Sequence, residues 1–177
     1  METQQLEHNP EVNEKTVFLI PVEGEEKKVK VKYNVACTSK VLRNMLEDMF
    51  TGNEKDGEEP MLPVPGVSEA TLIKTIEFFE HHLYDQVEED PPTIKKTLVL
   101  SEWDKAFCNV GQDELFHLIL AANFLDHKLM LDVTTKTVAN MIAGKTPEEI
   151  RAHFHIVNDF TPEEEEQIKK ENSWCEE

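Results

Sequence analysis

Glycine is scarce in this sequence, with 6 in 177 residues, and no Gly-rich stretch of the kind that cradles a phosphate occurs. Cysteine is scarcer: the 3 present, Cys37, Cys108 and Cys175, are far apart and form no CxxC. That argues against a disulfide framework or a zinc site and for a reducing compartment. No apolar run approaches the ~20 residues that span a bilayer. The opening METQQLEHNPEVNEKT has neither the basic nor the apolar region of a secretory signal. Basic side chains are also few, 18 against 36 acidic, for a formal charge of −18. Phosphate neutralisation needs a basic surface, so neither nucleic acid nor membrane is an expected partner. A partner drawn by charge is expected to be basic, and the expected location is cytoplasmic and nuclear.

Catalytic and metal motifs are missing as well. The 7 histidines include the pairs His81–His82 and His153/His155, but no HExxH and no ligand spacing with cysteine or carboxylate. They read as surface histidines. Ser101, Ser173 and the cysteines lack an elbow that would mark a nucleophile. The paired carboxylates lie in solvated helix starts rather than apolar pockets. No enzyme activity, cofactor, metal or small-molecule substrate is expected.

What is present describes a globular protein, 39% hydrophobic and 31% charged, long enough for one core with an appendage. TVFLIPV and KKVKVKY read as two strands, the second alternating basic and apolar residues, with a turn at Gly24. Thr38 or Ser39 is placed to cap a helix whose stripe is Val41, Leu42, Met45, Leu46 and Met49. MLPVPG fits an edge or third strand. Ser68 caps a helix carrying Leu72, Ile76, Phe79 and Leu83. The acidic stretches near 51–60 and 84–97 read as flexible loops, the second containing a Pro pair.

A short helix with Trp103 and Phe107 follows. QDELFHLILAANFLD is apolar on nearly every side, which marks a central helix, and Asn123 within it must find partners or reach the surface. Strands come early, helices dominate later, and no βαβ repeat occurs, so the fold class is α+β.

From Leu129 to Gly144, Leu131, Thr135, Val138 and Ile142 form one helical stripe, and Met130, Val133, Thr137 and Met141 an adjacent one. Together they cover roughly 200° against the ~100° of an ordinary surface helix. TPEE occurs at Thr146–Glu149 and again at Thr161–Glu164, each a capping box with Pro at the first helical position. The last helix runs from Glu163–Glu166 to Lys169 and Lys170, with expected Glu165–Lys169 and Glu166–Lys170 pairs. The apolar anchors of these helices are Ile150, Phe154, Ile156, Phe160, Ile168 and Trp174. Each contributes ~1.5–3 kcal/mol when buried, against ~1–2 kcal/mol per ordered residue. The C-terminal helices therefore look marginal alone, and a second protein on the surplus apolar arc is the better account.

The stretch from Trp103 to Glu177 closely resembles the Skp-family adaptor of SCF-type ubiquitin ligases. LILAANFLD, TVANMI, GKTPEEIR, NDFT and ENSWCEE carry the likeness. The N-terminal half resembles the family more loosely, in the strand pair, MLEDM, LPVPGV and the HH helix end. The resemblance implies a BTB/POZ domain over 16–128 after a disordered tail over 1–15, and an F-box-binding helical extension over 129–177. It implies a non-catalytic bridge between a cullin, held at Asn123 and Phe124, and F-box proteins. The F-box face it implies comprises Leu131, Thr135, Val138, Ile142, Ile150, Arg151, Ile156, Asn158 and Trp174. The large area and donor N–H of Trp174, in a tail poor in other apolar residues, read as a latch ordered against the F-box protein.

Phe124 stands where the family usually has Tyr, Thr135 where Cys is common, and His127 with Leu129–Leu131 where DIKGLL is typical. A diverged paralogue with its own partner preferences is the expectation. An elongin-C-like adaptor and a BTB module with weak self-association are the alternatives.

Overall fold

The computed structural model describes residues 15–51, 59–85 and 98–172. The N-terminal tail up to residue 14, most of both acidic loops, and the Trp174 latch lie outside the described residues. The chain divides between Asn140 and Met141 into two compact units.

In the first unit, β1 (Thr16–Ile20), β2 (Val29–Lys32) and β3 (Met61–Pro63) form a sheet in the order β2-β1-β3. β1 runs antiparallel to β2 and parallel to β3. Side chains alternate as a pleated strand requires: Val17, Leu19, Val31 and Leu62 are buried, while Lys30, Lys32 and Met61 are exposed. Gly24, at a φ of 101°, takes a backbone conformation that side chains rarely adopt and precedes a 3-10 turn at Glu25–Lys27. β3 is short and includes Pro63, which has no N–H for a further ladder, as suits an edge.

The helices of this unit are α1 (Tyr33–Ala36), α2 (Lys40–Thr51), α3 (Glu69–His81), α4 (Glu102–Phe107), α5 (Gln112–Phe124) and most of α6 (Lys128–Ile142). Of the two candidate caps for α2, Ser39 does the capping: its Oγ accepts from Leu42 N at 3.1 Å. Thr38 instead donates to the Val35 carbonyl at 2.7 Å. Leu42 and Leu46 are buried, Val41 and Met45 half-buried, and Met49 exposed, so the stripe dips into the core at its centre. Ser68 caps α3 as expected, accepting from Thr71 N at 3.2 Å. Leu72, Ile76 and Phe79 are buried; the helix stops at His81, leaving Leu83 beyond it and half-buried.

Two histidines depart from the surface reading. The His82 side chain is 7% exposed and His127 is 7% exposed. His82 sits between Phe78 and Trp103, with ring centroids 4.3 and 5.3 Å away. His127 stacks on Phe79 at 4.3 Å. Phe78 is close to His82 in sequence, but Trp103 reaches His82 and Phe79 reaches His127 only through the fold.

The second unit contains α7 (Pro147–Phe154) and α8 (Pro162–Glu171). Both capping boxes form. Glu149 N donates to Thr146 Oγ1 at 3.2 Å and Glu164 N to Thr161 Oγ1 at 3.4 Å, while each Glu carboxylate accepts from the Thr N–H at 2.8 Å. Neither helix has a buried residue. Polar contacts join them: Glu165 accepts from Arg151 at 3.2 Å and from Asn158 at 2.8 Å, and Lys169 lies 3.8 Å from Glu148. Glu165 and Lys169 thus reach across to the neighbouring helix segment.

Candidate functional site

α5 is central but not enclosed. Leu115, Leu118, Ala121 and Ala122 are buried on one side. On the other, Phe116 is 41%, Leu120 63% and Phe124 38% exposed, and Asn123 is exposed too. At about 100° per residue, Phe116, Leu120, Asn123 and Phe124 share an arc of about 100°. The helix is not buried all round: Leu115, Leu118, Ala121 and Ala122 face inward, while Phe116, Leu120 and Phe124 face out. Asn123 reaches the surface, the second of the two outcomes open to it. Phe116 and Leu120 went unassigned in the sequence, although their i, i+4 spacing to one another and to Phe124 was there to be read.

α6 separates its two stripes. Met130 and Val133 are buried, with Thr134 beside them. Leu131 and Val138 are half-buried, Thr135 exposed, and Ile142 is 37% exposed. Thr135 Oγ1 donates to the Leu131 carbonyl at 2.6 Å, so the hydroxyl is satisfied within its own helix. Leu131, Thr135 and Val138 therefore present a mixed apolar strip alongside a buried one.

In the second unit Ile150 and Arg151 are half-buried. Arg151 is held by Glu165 and lies 3.7 Å from Glu148. Asn158 donates to Glu165 and accepts from Phe160 N at 3.4 Å. These side chains are fixed by one another. The apolar ones are not enclosed: Ile156 is 54%, Val157 83%, Phe160 49% and Ile168 41% exposed. A run of large exposed apolar residues marks a surface for association with another molecule. Trp174 lies outside the described residues.

Burial and helix capping shift two ionisable groups. Burial pushes the Cys108 thiol up, the opposite of what activates a nucleophile. The backbone N–H of Thr161, with its hydroxyl, holds Glu164 below the usual carboxylate range. Among the described residues no group of three or more His, Cys, Asp or Glu side chains is placed to hold a metal ion.

The comparisons with known proteins cover most of the chain. A family model described as Skp1 family, tetramerisation domain, matches residues 24–84. Another, described as Skp1 family, dimerisation domain, matches residues 128–175. The chain is 51% identical over 152 residues to the E3 ubiquitin ligase complex SCF subunit sconC of Arthroderma benhamiae, spanning 84% of this chain and 89% of that protein. It is 48% identical over 161 residues to the SCF ubiquitin ligase complex protein SKP1a of Dictyostelium discoideum, spanning 89% of this chain and 96% of that protein.

Proposed function

This chain belongs to the Skp1 family, and from that premise we propose that it is the non-catalytic adaptor of an SCF-type cullin–RING ubiquitin ligase. It bridges a cullin scaffold to F-box substrate receptors, so that substrates are marked for ubiquitin-dependent degradation. The exposed α5 strip of Phe116, Leu120, Asn123 and Phe124 is the observation that carries the reading. It is a docking face of large, exposed apolar side chains beside an exposed amide. The cullin meets this strip, with Asn123 and Phe124 at its C-terminal end.

The F-box protein meets Leu131, Thr135 and Val138 of the first unit, and Ile142, Ile150, Arg151, Ile156 and Asn158 of the second, with Trp174 as a further anchor. Substrate choice lies with the F-box subunit and transfer chemistry with other subunits, so this chain supplies geometry. It works in the cytoplasm and nucleus. Phe124 lacks the hydroxyl of the family's usual Tyr, and this tunes which cullin is preferred.

Size-exclusion chromatography of the purified full-length chain, mixed with a panel of cullin N-terminal regions and F-box proteins, tests the proposal. A ternary complex is the expected product. Co-elution with F-box proteins but with none of the cullins would overturn the bridging role.

A further inference from the structure

The edge of the sheet formed by β2 stands apart from the rest of this acidic chain. From Lys27 to Lys32 the sequence is KKVKVK, with no acidic residue, in a protein of net charge −18. Among the described residues, β2 has a strand on one side only. Which of its backbone groups face outward follows from the ladder. Tyr33 N donates to the Lys15 carbonyl at 2.9 Å, and the register pairs Val31 with Val17 and Val29 with Leu19.

In an antiparallel pair, hydrogen-bonded positions alternate, so Val29 and Val31 bond to β1 while Lys30 and Lys32 do not. The other side of β1 agrees: Phe18 N donates to Pro60 O and Val64 N to Ile20 O, both at 2.8 Å, which commits Phe18 and Ile20 to β3. The N–H and C=O of Lys30 and the N–H of Lys32 therefore point away from the sheet, while the Lys32 carbonyl stands at the N-cap of α1, and both residues are exposed.

We propose that this edge of β2 docks an extended acidic segment of a partner protein, which adds to the sheet as a further antiparallel strand. Backbone pairing to Lys30 and Lys32 supplies the attachment, as in other strand-addition complexes. The side chains select the charge. The register sets Lys30, Phe18 and Met61 in a row across the outer face. Lys28 and Lys30 lie 4.4 and 5.5 Å from the centre of the Phe18 ring, and Lys30 also pairs with Glu59 at 2.7 Å.

Lysines on an edge strand are a recognised block against pairing with like strands. Here they also decide between occupants. A second copy using the same edge would set lysine opposite lysine, which is destabilising, whereas an acidic strand gains from the same row. Charge complementarity thus favours a heterologous acidic strand over a homodimer. This face is separate from the α5 and α6 strips and does not depend on the cullin or F-box assignments.

Fluorescence anisotropy of the full-length chain with a labelled synthetic peptide alternating Glu and Val, at low ionic strength, is the test, with a Lys/Val peptide as the control. The Glu/Val peptide is expected to bind and the control not. The double variant Lys30→Glu/Lys32→Glu is expected to weaken binding by at least about tenfold. Lys32→Glu alone, which leaves the Lys30–Glu59 pair intact, is expected to weaken it in the same direction.

Amide hydrogen exchange at Lys30 and Lys32 is expected to slow in the bound state, which side-chain attraction alone would not produce. Failure of the Glu/Val peptide to bind would leave the lysines as an edge block only. Equal binding of both peptides, unchanged affinity in Lys32→Glu, or unprotected Lys30 and Lys32 amides in the complex would each overturn the proposal.

Discussion

His82 Nε2 lies 3.0 Å from Asp104 Oδ1, and both side chains are 7% exposed. The contact ties the residue just past α3 to α4. Asp104 is committed twice, because its other oxygen accepts from Ser101 N at 2.9 Å and closes a capping box at the start of α4. His82 is likewise committed at both nitrogens, with Nδ1 against the Asp85 carboxylate.

Asp104→Ala removes the acceptor for a buried imidazole and for a helix N-terminus together. Removing a buried group that is hydrogen-bonded at both oxygens is among the costlier single changes, and the expected loss is about 3 kcal/mol. Urea denaturation read by circular dichroism checks it. A loss within the few tenths typical of surface substitutions would show that the pair does not hold α3 and α4 together.

His127 makes stability fall in mild acid. Its Nδ1 accepts from Met130 N at 3.2 Å, capping α6, and burial, with His82 adding in the same direction, pushes it from 6.5 down to about 4. Above pH 6.5 the ring is neutral folded or unfolded, and the full stability is present. As pH falls from there, the unfolded chain takes up a proton that the folded one refuses. The contribution is lost progressively until the folded ring also protonates at about 4. The loss is about 3 kcal/mol over that window. His127→Leu lacks the cap and is about 1 kcal/mol less stable at neutral pH, but its urea midpoint should fall less on acidification. Parallel midpoints for the two proteins across the window would remove His127 as the cause.

Ser39 joins two helices through one oxygen. Its Oγ donates to the Leu125 carbonyl at 2.6 Å while accepting from Leu42 N, and the residue is 0% exposed. Ser39→Ala leaves a buried carbonyl and a helix-start N–H unsatisfied, at an expected cost of about 2 kcal/mol. Ser39→Thr keeps the hydroxyl but adds a methyl in a fully packed site, and should also destabilise. Thermal melts of the two variants check this, and an alanine variant as stable as the parent would show that water replaces both bonds.

Local signals were legible in the sequence and assembled ones were not. The TPEE boxes, the Ser68 cap and the strand alternation depend on residues within a few positions of each other, and each formed as read. So did the separation of the α6 stripes, because helical periodicity alone fixes it. The buried His82–Asp104 contact joins residues 22 apart in the chain, and nothing near either position announces the other. The inward face of α5 was hidden for another reason. When nearly every residue is apolar, periodicity carries no direction, and only the neighbouring elements decide which side is covered.

The two proposed docking strips are separable by charge placement. Leu131 and Val138 are half-buried on α6, while Leu120 is 63% exposed on α5. An aspartate at Leu120 meets water in the free protein, so Leu120→Asp should leave the fold intact within about 0.5 kcal/mol. In a complex the same carboxylate is desolvated without a partner, which costs several kcal/mol. Cullin binding should therefore weaken by at least about a hundredfold, with F-box binding retained. Leu131→Asp or Val138→Asp should do the reverse, with some loss of stability because these sites are partly enclosed. Calorimetric titration of each variant with each partner distinguishes the outcomes. If Leu120→Asp lowered both affinities while its melting temperature stayed unchanged, the two partners would share one surface and the division between α5 and α6 would be wrong.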